Sequence, residues 1–231
     1  MAVNTRNSIV TNGLVLALDA GNTKSYVSGS TTWFDISGNG RNGSLLNGPT
    51  FSSQNGGSIA FDGVNDIINF GTGNTFFPLT NLTIDLWFQS KGTVPTTGTT
   101  PGLFGFTYGI RANFTSTNNI QFGLSSGSSS QNLSYTHTSN FRDDSSWNNM
   151  VFQATPTNSY IYLNGELKAS RSLTWLGNTI WPTSDWYLGR DINNNNQFFN
   201  GSIASYRMYN RALSQQEITQ NYNATKTRFG L

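Results

Sequence analysis

The sequence predicts an all-β fold, a sandwich or barrel of many short antiparallel strands with one helix near the C-terminus. Three observations carry this expectation. Turn-forming dipeptides recur along the whole chain, as Asn-Gly at Asn12, Asn39, Asn42, Asn47, Asn55, Asn164 and Asn200 and as Asp-Gly at Asp62. Asn and Gly tolerate the positive φ that tight hairpins demand. Between the turns, apolar and polar residues alternate with a period of two, the signature of a strand with one buried face. The composition is also poor in helix formers: 109 of the 231 residues are Asn, Ser, Thr or Gly, and only 10% are charged, against about 25% in an ordinary soluble domain.

The elements follow in order. Leu14, Leu16 and Leu18 alternate with Val15, Ala17 and Asp19 in a first strand. Leu82, Ile84, Leu86 and Phe88 alternate with Thr83, Asp85, Trp87 and Gln89 in another. Ser159–Leu163 and Glu166–Ser170 flank Asn164-Gly165 as a hairpin. Ile203, Ser205, Arg207 and Tyr209 alternate with Ala204, Tyr206 and Met208. Ser214-Gln215-Gln216-Glu217 is a capping box, so a helix starts there and runs to about Asn223, with Leu213 and Ile218 placed for a hydrophobic staple. Lys91–Gly102 and Ser125–Asn132 read as long exposed loops. Composition never shifts enough to mark a boundary. We therefore expect one domain over residues 1–231, with its core between about Gly13 and Tyr222 and a short tail at each end.

Composition excludes several chemistries. Without cysteine there is no disulfide, no Cys-based zinc site and no thiol nucleophile. The single histidine, His137, lies in a polar alternating stretch and reads as a surface residue. Basic residues are scattered and the net charge is +2, which gives no nucleic-acid footprint. Leu14–Leu18 is too short for a membrane span or a signal-peptide core. Gly38-Asn39-Gly40-Arg41-Asn42-Gly43 fits a dinucleotide fingerprint, but the following Ser44–Pro49 cannot continue as a helix. Asp191-Ile192-Asn193 echoes the start of an EF-hand, yet Asn196 and Ser202 stand where glycine and glutamate belong.

Several segments, taken in order, carry a family resemblance. They are Trp33–Gly40, Ser58–Asp66, Leu82–Phe88, Trp147–Phe152 with Ile161–Gly165, and Phe199–Ile203 through Arg207–Ser214 with Glu217-Ile218. This succession resembles the laminin-G-like members of the concanavalin A-like lectin/glucanase superfamily. The resemblance implies a jelly roll of two antiparallel sheets, one of them concave. A single domain with the tail Asn221–Leu231 also resembles virion structural proteins of tailed bacteriophages.

The superfamily holds lectins, glycosidases and adhesive modules, so the residues must choose. A glycosidase needs two carboxylates across a cleft. The two glutamates, Glu166 and Glu217, follow a hairpin turn and sit in the capping box, and neither lies in a catalytic strand motif. The expectation is a non-enzymatic protein. For glycan binding the candidates are Asp85, Trp87, Arg111, Asn113, Trp181, Trp186, Arg190 and Asn193: aromatic faces beside amides and charged forks that read hydroxyls. The resemblance implies a calcium ion, with Asp35, Asp62 and Asp66 as its candidate ligands; Ala204 stands where many relatives place a ligating aspartate. It further implies a decoration protein on a virion surface, made in the host cytoplasm without a signal peptide. Its partners would be other capsid or tail proteins, further copies of itself and cell-surface polysaccharide, without nucleic acid or membrane insertion. The alternative is a soluble, calcium-assisted lectin.

Overall fold

The alternating segments become strands because their β-branched and aromatic residues pack on a pleated surface while Asn and Gly supply the turns. The computed structural model describes residues 8–72, 81–92, 100–105, 109–125, 130–139, 141, 146–174, 185–191 and 198–231. In chain order its strands are β1 (Leu14–Asp19), β2 (Thr32–Trp33), β3 (Gly43–Leu46), β4 (Thr50–Ser52), β5 (Ser58–Asp62), β6 (Ile67–Thr72), β7 (Leu82–Ser90) and β8 (Gly102–Gly105). They continue as β9 (Ile110–Phe114), β10 (Asn119–Ser125), β11 (Ser130–Thr136), β12 (Asn148–Ala154), β13 (Asn158–Leu163), β14 (Glu166–Ser172), β15 (Asp185–Leu188) and β16 (Asn200–Tyr209). The helix α1 covers Gln215–Thr225, and a 3-10 segment follows at Lys226–Phe229.

Two eight-stranded antiparallel sheets form the sandwich. Sheet A runs β14-β13-β12-β7-β16-β5-β4, with β1 lying beside the C-terminal half of β16. Sheet B runs β11-β10-β9-β8-β15-β6-β3-β2. The architecture is the expected jelly-roll sandwich of two antiparallel sheets with one short C-terminal helix. The core lies between the sheets. From sheet A come Ile84, Leu86, Phe88, Phe152 and Tyr206, and from sheet B come Trp33, Phe104, Phe114, Phe122 and Trp186, all fully buried. Phe104 meets Phe152 edge-on at 5.4 Å across the sandwich and stacks on Trp186 at 5.7 Å within its own sheet. Burying each such ring stabilises the fold by about 2–3 kcal/mol.

Local signals explain the connections. The β13–β14 turn places Asn164 at φ 52° and Gly165 at φ 82°, the left-handed pair of a tight hairpin. The capping box is present: Ser214 Oγ accepts from the Glu217 amide at 3.2 Å, and the Ser214 amide donates to the Glu217 carboxylate at 2.8 Å. Leu213 and Ile218 are both buried beside it.

Three expectations change. The alternation in β16 is broken by a register shift between Ile203 and Ser205. Ile203 therefore shares the core with Tyr206 and Met208, while Ser205, Arg207 and Tyr209 face outward. Ser125–Asn132 is no long loop, because β10 ends at Ser125 and β11 starts at Ser130; β11 turns a serine- and asparagine-rich face away from the core, which hides its strand character. Gly102 likewise opens β8 rather than closing a loop, and 93–99 of that stretch lie outside the described residues.

Candidate functional site

Sheet A turns Thr83, Asp85, Trp87, Asn149, Gln153 and Arg207 away from the core, and the C-terminal chain covers them. Arg207 lies opposite Asp85 in register, with 3.5 Å between guanidinium and carboxylate. The Asp85 carboxylate also accepts from Asn149 Nδ2 at 2.7 Å and from Asn221 Nδ2 of α1 at 3.0 Å. Asn221 donates as well to the Tyr209 hydroxyl at 3.0 Å and accepts from the Val10 amide at 2.8 Å. Burial, with the Asp85 charge second, pushes the Tyr209 phenol up to about 12. Trp87 is fully buried: Phe229 stacks on it at 4.2 Å, Tyr222 at 5.8 Å, and its Nε1 donates to Thr225 at 2.9 Å. Arg228 fastens the tail, pairing with Asp19 at 2.6 Å and donating to the Asn55 and Gly57 carbonyls.

Sheet B turns a different face outward. Successive register pairs set one row across all eight strands: Asn132, Gly123, Arg111, Gly105, Tyr187, Asn69, Ser44 and Thr32. The side chains of this row stay half-buried or exposed. Glycines flank Arg111 on both sides, and the space is needed. A Cβ at Gly123 would stand 2.9 Å from the guanidinium carbon, and one at Gly105 3.0 Å from Arg111 Cβ. Arg111 therefore lies along the sheet, 3.4 Å from Asn132 Oδ1 and 3.8 Å from Asp191. Tyr187 presents its ring beneath the Arg190 guanidinium, 5.7 Å from its centroid, with Phe198 5.4 Å from the same group. Asp185 accepts from Asn69 at 2.9 Å, Thr72 at 3.3 Å and the Tyr187 hydroxyl at 3.4 Å. Burial, then the neighbouring Asp185 charge, raises the Tyr187 phenol. Arg111 and Arg190 lie near Asp191 and Asp185, and at the end of the row Arg171 donates to the Asn132 carbonyl at 2.6 Å. An aromatic ring, amides and a planar guanidinium in one half-open row, with Asp185 and Arg190 beside Tyr187, suit a ligand rich in hydroxyls.

The structure sorts the candidates read from the sequence. Arg111, Asn113 and Arg190 share the outer face of sheet B. Asn113 is buried opposite Gly102, which corrects its assignment as a surface-reading group, and its Oδ1 has no hydrogen-bond partner among the described residues. Asp85 and Trp87 do point away from the core, but α1 and the tail cover them, which corrects their assignment as surface-reading groups. Trp186 is corrected too: it is fully buried against Phe104. Its partner in alternation is Leu188, so both face inward and Asp185 and Tyr187 face outward. Tyr187, Asn69 and Asn132 were missed by sequence reasoning; the alternation Asp-Trp-Tyr-Leu is the signal that exposes Tyr187. Trp181 and Asn193 lie outside the described residues.

The three aspartates considered for calcium are occupied differently. Asp35 is an Asx-turn hub whose two oxygens accept from the Ala17, Ser37 and Arg41 amides and the Ser37 hydroxyl at 2.8–3.0 Å. Asp62 accepts from the Val64 amide at 2.8 Å, and Asp66 from the Asp62 amide at 2.9 Å. Burial raises the Asp66 carboxyl, against the lowering effect of that amide. Among the described residues these carboxylates do not gather into a group of three that would hold a metal ion. Asp35, Asp62 and Asp66 thus each serve amides of their own or a neighbouring loop.

A sandwich with one outer face sealed by its own C-terminus and the other lined by aromatic, amide and guanidinium groups is a lectin-like scaffold. The chain belongs to the concanavalin A-like lectin/glucanases superfamily, whose family profile matches residues 61–219. No curated protein matches it in sequence. Among solved structures it is similar to the binding domain of Paraclostridial Mosquitocidal Protein 1, with a TM-score of 0.75 and 17% identity over 93% of this chain and 52% of that one. The receptor-binding domain of botulinum neurotoxin C/D mosaic serotype gives a TM-score of 0.73 and 14% identity over 92% and 51%. The chain thus spans about half the length of these toxin binding domains. It also matches domain 4 of AbnA, a GH43 extracellular arabinanase from Geobacillus stearothermophilus solved with arabinotriose, with a TM-score of 0.67 and 16% identity over 90% of this chain and 98% of that one.

Proposed function

We propose that this chain is a non-enzymatic carbohydrate-binding protein whose glycan site is the outer face of sheet B, centred on Tyr187. The single observation that carries the reading is the row across the sheet, in which Tyr187 and Arg111 are separated by Gly105, the Arg111 guanidinium lies over Gly123, and Asn69 and Asn132 stand beside them. A sugar ring lays its C–H face on the aromatic ring while Asp185, Asn69 and the arginines bridge its hydroxyls. Pairing of Arg111 with Asp191, and the Asp185 carboxylate beside Tyr187, favour a neutral glycan. The arabinotriose complex of the similar arabinanase domain adds support from the fold.

The state of the glutamates supports a binding role over hydrolysis. A glycosidase acid needs a raised pKa. Glu217 is held down to about 2, chiefly by the Arg211 hydrogen bonds, and exposed Glu166 is lowered by its bond to Lys168. Binding on this reading needs no calcium.

The test is a glycan array followed by calorimetry, with and without chelator. Wild-type protein binds at least one neutral glycan equally in both conditions, and Tyr187→Ala loses it by about tenfold or more. Equal binding by Tyr187→Ala rejects the site.

A finer reading places the protein on the surface of a tailed-bacteriophage particle, as a capsid or tail decoration protein that contacts other virion proteins or copies of itself and adheres to cell-surface polysaccharide. It rests on the sequence resemblance alone. Mass spectrometry of purified particles finds the protein in stoichiometric amount if this is right, and its absence there rejects it.

A further inference from the structure

We propose that the cleft between β2–β3 and β4 is a second, separate sugar site, which takes a single neutral ring. It lies where the sandwich ends: β4 is the last strand of sheet A, and β2 the last of sheet B. Tyr26 and Phe51 stack there at 5.3 Å and an angle of 29°. The Tyr26 hydroxyl donates to the Ser30 carbonyl at 2.9 Å, fixing the loop that forms one wall. The remaining space is about 360 Å³, inside the range of about 300–1,000 Å³ in which small ligands are held.

The lining selects the ligand chemistry. Leu45, Pro49 and Phe51 supply apolar surface, and Ser28, Thr31 and Thr50 supply hydroxyls. These three hydroxyls carry no hydrogen bond to described residues, so they are free to pair with a ligand. Among the described residues no Asp, Glu, Lys, Arg or His lines the cleft, which disfavours a charged ligand. Apolar surface bordered by unpaired hydroxyls matches the two sides of a sugar ring, its C–H face and its O–H edge. A peptide strand added along β4 is the poorer occupant. That strand has only three residues, and Pro49 before it offers no N–H. The site does not depend on the one proposed on sheet B, which lies on an outer face rather than at a sandwich edge.

The test is amide-resolved NMR of the isotope-labelled protein, titrated with D-glucose, D-galactose, L-arabinose and N-acetyl-D-glucosamine. At least one of these sugars, at millimolar concentration, should give saturable shifts at the amides of Tyr26, Ser28, Thr31 and Thr50. Thr50→Trp, which fills the cleft, should abolish them. The double variant Ser28→Ala/Thr31→Ala should weaken binding about tenfold, and it decides the matter if Thr50→Trp fails to fold. Tyr187→Ala should leave these shifts unchanged, so failure of the sheet B site is read separately. The proposal is overturned if none of the sugars shifts the cleft amides saturably, or if the double variant binds with wild-type affinity.

Discussion

On the outer side of sheet A, Asp85, Asn149 and Arg207 lie beneath α1 and reach almost no solvent. On the outer side of sheet B, Asn69, Arg111 and Tyr187 occupy equivalent outward positions and keep part of their surface in water. The two faces draw on the same residue types, yet only one is available to a ligand. The polar groups of sheet A serve the chain itself. Thr83 accepts from the Leu213 amide at 3.1 Å and donates to the Arg211 carbonyl at 2.8 Å, and Gln153 donates to the Leu213 carbonyl at 2.9 Å. Together they hold the segment that leads into the helix. A polar strand face is therefore evidence for a partner, and the partner can be the protein's own C-terminus.

This contrast can be broken from the covered side first. Asp85→Ala leaves Arg207 buried beside an empty space and should cost about 3–5 kcal/mol in urea unfolding. The double variant Asp85→Leu/Arg207→Met removes both charges and should recover most of that loss. A cost below about 1 kcal/mol for Asp85→Ala would mean that the cluster is solvated. Phe229→Ala removes the ring that stacks on Trp87 at 4.2 Å and contacts Trp147 at 4.8 Å. It should cost about 2 kcal/mol and shift tryptophan emission to the red as water reaches those rings.

A smaller effect comes from acid. Glu217 is lowered to about 2, first by the Arg211 side chain, whose guanidinium makes two hydrogen bonds to the carboxylate at 2.6 and 2.8 Å. Its folded pKa lies below its unfolded value. Its contribution, about 1 kcal/mol after screening by solvent, is thus complete above about pH 4.5 and is lost as pH falls toward 2. Glu217→Gln should flatten that part of the stability profile. An unchanged acid limb in the variant would show that the helix cap does not hold the cover in place. The smallest effect on stability belongs to the open face: Tyr187→Ala should change the unfolding free energy by no more than about 0.5 kcal/mol.

Much of the fold was legible because its signals are local. β1, β7, the Asn164-Gly165 hairpin and the Ser214 cap are each written in a few adjacent residues. The β16 bulge was not, because one extra residue reverses an alternation without altering composition. The site divides in the same way. Arg111 on β9 and Arg190 just after β15 keep part of their surface in water on the outer side of sheet B, whereas Asn113 faces the same way but is buried. Asp85 and Trp87 carry the same chemistry, but Asn221 and Phe229 come from the far end of the chain to cover them, and strand periodicity has no view of that. Trp186 reads by type as an aromatic face for a sugar, but in the alternation Asp185-Trp186-Tyr187-Leu188 it shares the buried side with Leu188.

Sheet B is the proposed ligand face. The most direct measurement is titration of Tyr187→Ala and Phe229→Ala with a glycan that binds the wild-type protein, each variant first shown to be folded by circular dichroism. Tyr187→Ala should lose binding by about tenfold or more with wild-type stability, while Phe229→Ala should keep binding despite its lower stability. Binding that survives in Tyr187→Ala and disappears in Phe229→Ala would contradict this assignment.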